Sequence, residues 1–216
     1  MTQSVSPYLI GLTGGIACGK SSVLAMLSAL GARTIDADRV THRLQLAGSP
    51  VYRQIVATFG NAILTGNGDT IDRRKLGTLV FNDSQALRRL EAIVHPAVHS
   101  ELRAWLKGIA RESGHGSRMQ PLARPVAVID AVKLLESGWR VDCQQVWIVT
   151  CPTEQQIVRM VTTRSMSEQE ARQRILAQPS QESRLTAADV VIDNGGTIEQ
   201  TRSQVEAAWQ RVRASL

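Results

Sequence analysis

The chain has few aromatic residues, few cysteines and no long hydrophobic run. Its 216 residues include only two Phe, two Tyr and four Trp, and no basic run is interleaved with them, which argues against a stacking surface for single-stranded nucleic acid. The cysteines, Cys18, Cys143 and Cys151, have no paired spacing, so they suggest neither a disulfide framework nor a zinc site and favour a reducing compartment. Residues 1–7 carry no signal pattern, and no apolar run reaches the length of a membrane span. We therefore expect a soluble, cytoplasmic protein with no membrane partner.

Length and charge indicate the number of domains and the kind of binding partner. The length suits one well-buried α/β domain, or a core with insertions, and no second independent domain. The formal net charge is +6, and the charged residues are interspersed with apolar ones instead of forming a basic tail. A small substrate with several phosphates explains this charge better than nucleic acid does, so we predict no nucleic-acid partner. The sequence leaves the oligomeric state open.

A glycine-rich segment after the first apolar run predicts a phosphate-binding loop. Residues 8–22 are YLIGLTGGIACGKSS, which contains the pattern G-x-x-x-x-G-K-[ST]. The apolar run predicts a strand and residues 21–30 predict a helix, which is the order that such a loop needs. Backbone N–H groups of the loop and of the helix start would bind a polyphosphate. The residues predicted to bind ATP in this loop are Gly14, Gly15, Ile16, Ala17, Cys18, Gly19, Lys20, Ser21 and Ser22.

Three positions in the loop have individual interpretations. Lys20 would reach the β- and γ-phosphates as a point charge, and the Ser21 hydroxyl would coordinate a Mg²⁺ that keeps most of its waters. The alternative is a glycine turn before an ordinary helix. Cys18 is most simply a small filler residue, although its place before a helix N-terminus could lower its pKa and make it oxidisable when nucleotide is absent.

Two aspartates follow the first helix. Residues 33–38 (RTIDAD) predict a short strand that runs into a loop, and alternation along an extended segment would put Asp36 and Asp38 on the same side. Either carboxylate could accept a proton from an attacking hydroxyl, as an aspartate does in kinases that phosphorylate alcohols. The alternative is that one of them caps a helix that begins near Arg39.

The middle of the chain is mostly helical by pattern. We predict a helix from Pro50 to Gly60, a turn and a short helix after Asp72, and a longer helix from about residue 85 that breaks at His95 because Pro96 follows. His95 is a capping or core histidine on this pattern, since no third ligand is spaced to make a metal site with His99. Residues 108–125 predict a polar surface connection.

The second half alternates strands with helices. Residues 125–131 and 145–152 contain apolar, β-branched runs typical of strands buried on both faces, and residues 188–193 (ADVVID) predict a last buried strand. This alternation predicts a parallel, doubly wound sheet. Asp130 would lie at the carboxyl end of its strand, where ligands bind in such sheets. A helix from Thr197 to about Val212 closes the chain.

Arginines are frequent between the last two predicted strands. Ser167 and Glu170 form an S-x-x-E capping box that starts a helix ended by Pro179. Arginines there either form a solvated face, which we expect for Arg172, or belong to a lid that brings guanidinium groups to the transferring phosphoryl.

With these segments in place, the sequence resembles the dephospho-coenzyme A kinase family over nearly its whole length. The resemblance lies in GLTGGIACGKSS, IDADRV, Val94–Pro96, LLESG at 134–138, the Arg159 and Arg164 pair, RILAQ at 174–178 and DVVIDNGG at 189–196. It implies a three-layer α/β/α fold with a parallel five-stranded sheet, built as a P-loop kinase core with a helical substrate-binding insert and a lid. The core would be residues 1–38, 125–151 and 186–216, with the insert at 39–124 and the lid at 152–185.

The resemblance also implies an activity and residue roles. The activity is transfer of the ATP γ-phosphoryl group to the ribose 3′-hydroxyl of dephospho-CoA, giving CoA and ADP. Asp38 would be the base, His95 would lie in the insert that binds the CoA substrate, Arg159 and Arg164 would lie in the lid, and Asn194 and Gly195 would lie near the adenine. We count Asp38, His95, Asp130 and Lys133 as candidate substrate contacts, Lys133 being equally interpretable as plain surface charge.

Two further readings stay open at this stage. The chain could be a P-loop kinase for another small alcohol or nucleotide, or a nucleotide-dependent binding protein that is not an enzyme. The sequence also departs from the commoner family loop, GGIGSGKS, at Ala17 and Cys18. Alanine is strained at positive φ, so we expect position 17 to have negative φ.

Overall fold

A computed structural model describes residues 5–66, 68–113 and 124–216. The chain divides into two compact units. The first contains the described residues up to Asp36 and from Leu106 onward, and the second is Ala37–Trp105. Within the described ranges, no helix is long and apolar enough to span a membrane.

The first unit is built on a sheet of five parallel strands with helices on both sides. The strands are β1 (Tyr8–Gly14), β2 (Arg33–Asp36), β3 (Val126–Asp130), β4 (Gln145–Thr150) and β5 (Val190–Asp193), and their spatial order is β2-β3-β1-β4-β5. The three central strands are almost wholly buried because layers on both faces cover their apolar side chains. The predicted parallel, doubly wound sheet is confirmed.

The last strand differs from its prediction. Strand β5 pairs only with β4 and lies at the edge of the sheet. Ile192 is buried, whereas Val191 is 46% exposed. The expectation of a buried strand was wrong here, because Ile192 faces the core while Val191 and Asp193 on the other face are exposed.

Nine α-helices lie in the described residues. They are α1 (Lys20–Ala29), α2 (Ala37–Leu44), α3 (Pro50–Phe59), α4 (Arg73–Asn82), α5 (Ser84–Ser113), α6 (Thr153–Arg164), α7 (Glu168–Leu176), α8 (Gln181–Leu185) and α9 (Ile198–Ala214). Several of these helices begin directly after a residue whose side chain caps them. Ser49 Oγ accepts the Tyr52 N–H at 2.9 Å, Asp72 accepts the Arg74 N–H at 2.9 Å, and Thr197 forms a complete capping box with Gln200.

The core of the first unit joins α1 and α9 to one face of the sheet. It includes Val23 and Leu27 of α1 and Trp209 of α9, packed with Ile10 and Trp147 of the central strands. Burying these large side chains supplies most of the stabilising free energy, at about 25 cal/mol for each Å² of apolar surface removed from water. The sheet therefore provides a rigid base for the loops at the carboxyl ends of its strands.

Helix α5 is continuous where the sequence predicted a break. It runs for 30 residues with Pro96 inside it. The predicted break at His95 was wrong because one proline removes only one backbone hydrogen bond and crowds one carbonyl, a cost of about 3 kcal/mol. The buried face that includes Ala86, Val98 and Leu102 continues on both sides of the proline and holds the helix together.

The same helix shortens the predicted surface connection. Residues 108–113 are helical and do not belong to a loop, so the prediction of a polar connection from residue 108 was wrong for these residues. Residues 114–123 of that prediction lie outside the described residues.

The segment with two aspartates also departs from its prediction. Strand β2 ends at Asp36 and helix α2 begins at once with Ala37, so Asp38 lies in the first turn of a helix. The two-residue alternation of a strand does not extend to Asp38, and the expectation that it shares a side with Asp36 has no basis in an extended backbone.

Candidate functional site

The glycine loop connects the end of β1 to the start of α1 in the first unit. At Gly14, a Cβ atom would fall against the carbonyl oxygen of Val149, a backbone atom that cannot move aside. Gly19 has φ 87° and precedes the first residue of α1, and a Cβ there would meet the side-chain amide of Asn194. Both fixed glycines of the sequence pattern are therefore required by close approach, and at Gly19 also by the left-handed backbone.

The N-terminus of α1 is open toward the loop. Gly19 has no side chain with which to cap the helix, and within the described residues the N–H groups of Lys20 and Ser21 have no acceptor. Unpaired N–H groups and the positive end of the helix dipole favour an anion at this point. The Lys20 ammonium has no hydrogen-bond or ion-pair partner in the described part of the chain. The loop thus presents main-chain donors and a lysine charge together.

The backbone at Ala17 contradicts the expectation from the sequence. Its φ is 56°, in the left-handed region. For a residue with a Cβ this costs about 1–2 kcal/mol. The Ala17 carbonyl oxygen accepts Nη1 of Arg159 at 3.2 Å, which helps to hold the conformation. The strain is therefore maintained by contacts from α6.

The side-chain amide of Asn194 supports the conformation of the loop. This residue is buried, and its Nδ2 donates to the carbonyl oxygen of Cys18 at 2.8 Å. Its Oδ1 accepts the Thr201 hydroxyl at 2.9 Å, which fixes the orientation of the amide. The predicted role for the turn at Asn194 and Gly195 was contact near adenine. The structure adds a role in positioning the loop, which requires a short amide side chain directly after β5.

Arg159 joins the loop to the same turn. Its Nη1 donates to Ala17 O at 3.2 Å, and its Nη2 donates to Asn194 O at 2.9 Å. Gln155, one helical turn earlier, donates to Gly195 O at 2.7 Å. The Arg159 guanidinium thus lies against the loop, and its partners are one loop carbonyl and one carbonyl of the turn.

Sequence reasoning missed Arg184 and Gln178. Arg184 in α8 is only 8% exposed, and its Nη2 donates to Oε1 of Gln178 at 3.0 Å. The same oxygen accepts the loop N–H of Ile16 at 3.0 Å. Arg184 Nη1 lies 3.3 Å from the position that a Cβ on Gly15 would take. No carboxylate pairs with Arg184 among the described residues, so a buried cation faces the loop without a counter-ion.

No local pattern marks these two residues. Gln178 ends the segment RILAQ, which contributes to the family resemblance, and Arg184 lies in a five-residue helix that no sequence pattern predicts. Their positions depend on how α7 and α8 return to the loop, which the spacing of residues does not encode.

The other arginines of this segment lie at the surface. Arg172 forms ion pairs with Glu154 at 3.3 Å and with Glu168 at 2.8 Å, which agrees with the solvated face expected for it. Arg174 pairs with Glu170 at 2.9 Å. Arg164 is exposed at the end of α6 and has no partner in the described ranges.

Two aspartates end neighbouring strands of the first unit. Asp36 of β2 and Asp130 of β3 are paired in register, so their side chains project from the same face of the sheet. Asp130 is 8% exposed and Asp36 is half-buried. Lys133, a candidate substrate contact, is exposed in the turn that follows β3. The sheet thus places two carboxyl groups at the carboxyl ends of its strands.

Two candidate residues belong to the second unit. Asp38 is exposed in the first turn of α2, and His95 is half-buried in the middle of α5. The boundary between the units falls between Asp36 and Ala37. The two aspartates of the IDAD segment therefore belong to different units.

Among the described residues, a metal ion would be bound by single oxygen ligands and not by a cluster of side chains. The described residues contain no group of three or more His, Cys, Asp or Glu side chains that could hold one. The Ser21 hydroxyl is exposed at the start of α1 and has no hydrogen-bond partner among these residues. A single hydroxyl fits Mg²⁺, which keeps several waters and takes the remaining ligands from substrate phosphates.

The loop contains a thiol with altered acidity. Hydrogen bonds from the Cys151 side chain and backbone lower the pKa of Cys18 to about 7, against the opposing effect of burial, with help from the charges of Lys20 and Arg184. The pKa of Cys151 is raised because its thiol donates to Cys18 and is buried. Burial raises the pKa of Cys143 to about 12. Cys18 is therefore the one cysteine of the three that favours its thiolate.

Comparison with known families gives a match over most of the chain. The family model described as dephospho-CoA kinase matches residues 8–200. A curated dephospho-CoA kinase from Symbiobacterium thermophilum is 44% identical over 94% of this chain and 80% of its own length. The corresponding protein of Geobacter sulfurreducens is 41% identical over 94% of this chain and 98% of its own.

A solved structure has the same fold. The crystal structure of TT1252 from Thermus thermophilus superposes with a TM-score of 0.77 at 30% sequence identity, covering 97% of this chain and 98% of the other. The similarity extends beyond the glycine loop to the whole order of strands and helices.

Proposed function

Because the chain belongs to the dephospho-CoA kinase family, we propose that it transfers the γ-phosphoryl group of ATP to the ribose 3′-hydroxyl of dephospho-CoA. The products are CoA and ADP, and the reaction is the last step of CoA biosynthesis. The observation that carries the proposal is the family match over residues 8–200 in a chain whose glycine loop opens onto a free helix N-terminus. The ATP-dependent activity requires positioning and charge neutralisation more than covalent chemistry.

The donor site consists of the glycine loop and nearby cations. Loop and helix N–H groups, including those of Lys20 and Ser21, would bind the β- and γ-phosphates. Lys20 and the buried Arg184 would supply positive charge as negative charge develops on the transferring group. The uncompensated burial of Arg184 supports this role, because an anionic ligand would give the guanidinium its missing counter-ion.

The arginines of α6 would act in two ways. Arg159 would hold the loop through Ala17 O and would place its charge next to the phosphates. Arg164, exposed and without a partner in the described chain, would bring its charge to the nucleotide as part of the lid at 152–185. The turn at Asn194 and Gly195 would lie beside the adenine.

Asp38 would serve as the general base. Its carboxylate would take the proton of the ribose 3′-hydroxyl as the oxygen attacks the γ-phosphorus, and the bond from that phosphorus to the ADP oxygen would break. His95, Asp130 and Lys133 would contact the dephospho-CoA. Asp36, which is paired with Asp130 at the carboxyl ends of β2 and β3, is the alternative candidate for the base.

Ser21 would hold a Mg²⁺ together with the substrate phosphates and water. When bound, the ion neutralises charge on the β- and γ-phosphates. We also propose that the protein acts in the cytoplasm. The three free, buried cysteines support this, because disulfides are rare in reducing compartments.

A test measures ADP formation by purified protein with ATP and a panel of acceptors. The panel contains dephospho-CoA, adenosine, shikimate and gluconate, and the position of phosphate in the product is identified by ³¹P and ¹H NMR. We expect turnover with dephospho-CoA and a new 3′-phosphate, and a large loss of both ATP affinity and turnover in Lys20→Ala. Turnover with another acceptor and none with dephospho-CoA would reject the proposal.

A further inference from the structure

Two cysteines from distant parts of the chain lie in one buried cluster next to the glycine loop. Cys18 lies in the loop and is 1% exposed, and Cys151 follows β4 and is 2% exposed. Both belong to the same buried cluster, and both are free thiols. The phosphate-binding role of the loop does not use either sulfur.

The contacts around Cys18 distinguish it from an inert core thiol. The Cys151 sulfur lies 4.0 Å from the Ala17 carbonyl oxygen, so it approaches the loop at the residue before Cys18. The Cys151 thiol and backbone also lower the pKa of the Cys18 thiol, which agrees with this approach. The charges of Lys20 and Arg184 stabilise a thiolate at Cys18. A thiolate beside a second thiol is the arrangement that disulfide formation requires.

We propose that Cys18 and Cys151 are a redox modification site, at which peroxide forms a reversible disulfide that prevents ATP binding. The consequence for ATP rests on the proposed function of the loop. The pairing of the cysteines does not, since it rests on their shared buried cluster and on the approach of Cys151 to the loop.

The chemistry is balanced with hydrogen peroxide as the oxidant. The Cys18 thiolate attacks one peroxide oxygen, the O–O bond breaks, and the products are a sulfenic acid at Cys18 and hydroxide. The hydroxide takes the thiol proton of Cys151 to give water. The Cys151 thiolate then attacks the Cys18 sulfur, the S–S bond forms, the S–O bond breaks, and a second hydroxide leaves. Two electrons pass from the sulfur atoms to the peroxide.

The disulfide would alter the loop. The S–S bond would replace a non-bonded approach of two buried side chains and would draw the Cys18 segment toward Cys151. That segment is held by Asn194 Nδ2 on the Cys18 carbonyl and by the Cys18 N–H on Gly15 O at 3.2 Å. Movement of Cys18 strains both bonds and the left-handed turn at Ala17, and the N–H groups no longer converge on a phosphate.

ATP and peroxide should therefore oppose each other. Because both cysteines are buried, oxidation requires local opening of the loop. A triphosphate bound to the loop would suppress that opening and protect Cys18. Conversely, the oxidised loop would bind ATP more weakly by linkage.

The test treats the folded, full-length protein with hydrogen peroxide, with and without ATP, and maps its disulfides by mass spectrometry of the digested protein. ATP affinity is measured by calorimetry before oxidation, after it, and after dithiothreitol. We expect a peptide pair that joins Cys18 to Cys151, a loss of ATP affinity of about tenfold or more, recovery with dithiothreitol, and protection by ATP.

Two variants serve as controls, each compared with its own reduced form. Cys143→Ala removes the cysteine with no partner in the pair and should oxidise as the natural protein does. Cys151→Ala removes the resolving thiol, so mass spectrometry of the oxidised variant should find no disulfide at Cys18.

Several results would overturn the inference. They are peroxide treatment that leaves Cys18 and Cys151 as thiols, a bridge that forms without change in ATP affinity, and a bridge that joins Cys18 to Cys143 instead of Cys151. Failure of the reduced protein to bind ATP would instead count against the proposed function, since disulfide mapping still reports on the cysteine pair.

Discussion

The guanidinium of Arg184 and the backbone N–H of Ile16 donate to the same oxygen, Oε1 of Gln178, each at 3.0 Å. One amide side chain therefore links a buried cation to the phosphate-binding loop. A neutral oxygen cannot balance the guanidinium charge, so the arrangement is electrostatically incomplete and favours an anion. The same contacts tie the segment after α7 to the conformation of the loop.

Replacement of Arg184 by Gln should weaken ATP binding by about 10- to 100-fold, the effect of one lost charge-assisted hydrogen bond. The free energy of unfolding should change little, because the buried charge has no carboxylate partner in the described residues to leave unpaired. Calorimetric titration with ATP and urea unfolding measure the two quantities. Arg172→Gln is the matched control, since its guanidinium pairs with Glu154 and Glu168 at the surface. A large loss of stability with unchanged ATP affinity in Arg184→Gln would make Arg184 a structural residue only.

Replacement of Asp38 by Asn should leave ATP affinity nearly unchanged and lower kcat by about 10²- to 10⁴-fold, the range for loss of a general base. The amide keeps the size of the side chain and loses its basicity. Steady-state kinetics with dephospho-CoA and ATP provide the measurement. Asp36→Asn, two residues earlier in the other unit, is the comparison. A near-normal kcat in Asp38→Asn with a large loss in Asp36→Asn would move the role of base to Asp36.

Exchange of alanine and glycine within the loop should have opposite effects at two positions. Ala17→Gly relieves a positive φ that costs about 1–2 kcal/mol, offset by about 0.4–1 kcal/mol from the more flexible unfolded chain, so the free energy of unfolding should rise or stay equal. Gly19→Ala puts a Cβ against the Asn194 amide at φ 87° and should abolish ATP binding. Thermal unfolding and ATP titration measure both variants. Destabilisation by Ala17→Gly would show that the methyl group contributes more packing than the backbone strain costs.

The cap of α5 predicts a dependence of stability on pH. The N–H groups of Ala86 and Gln85 donate to the Asp83 carboxylate and lower its pKa. A lowered pKa in the folded state stabilises the protein above the ordinary carboxyl pKa, and this contribution is lost as pH falls through the folded pKa. Urea unfolding of the natural protein and of Asp83→Ala should therefore show a difference in stability at neutral pH that shrinks below about pH 4. A difference that does not depend on pH would mean that the charge of Asp83 contributes nothing.

Local patterns were sufficient for much of the fold and for the position of the glycine loop. Gly14, Gly19, Lys20 and Ser21 were assigned from spacing because a phosphate loop is one continuous segment, and its geometry depends on neighbouring residues. The helix starts at Pro50, Arg73 and Ile198 were predicted for the same reason, since each cap lies within three residues of the N–H that it accepts. Strands β3 and β4 were predicted from their buried, β-branched composition.

The sequence by itself determined the parallel sheet, the loop and the family, because these depend on residue types in contiguous or regularly spaced segments. Only the tertiary structure decided that Pro96 stays inside a helix, that Ala17 has positive φ, and which side chains close around the loop. The continuity of α5 depends on a buried face, and the strain at Ala17 depends on Arg159 from another helix. Arg184, Gln178 and Cys151 reach the loop from residues more than a hundred positions away, and contacts of that kind arise from packing, which no local pattern records.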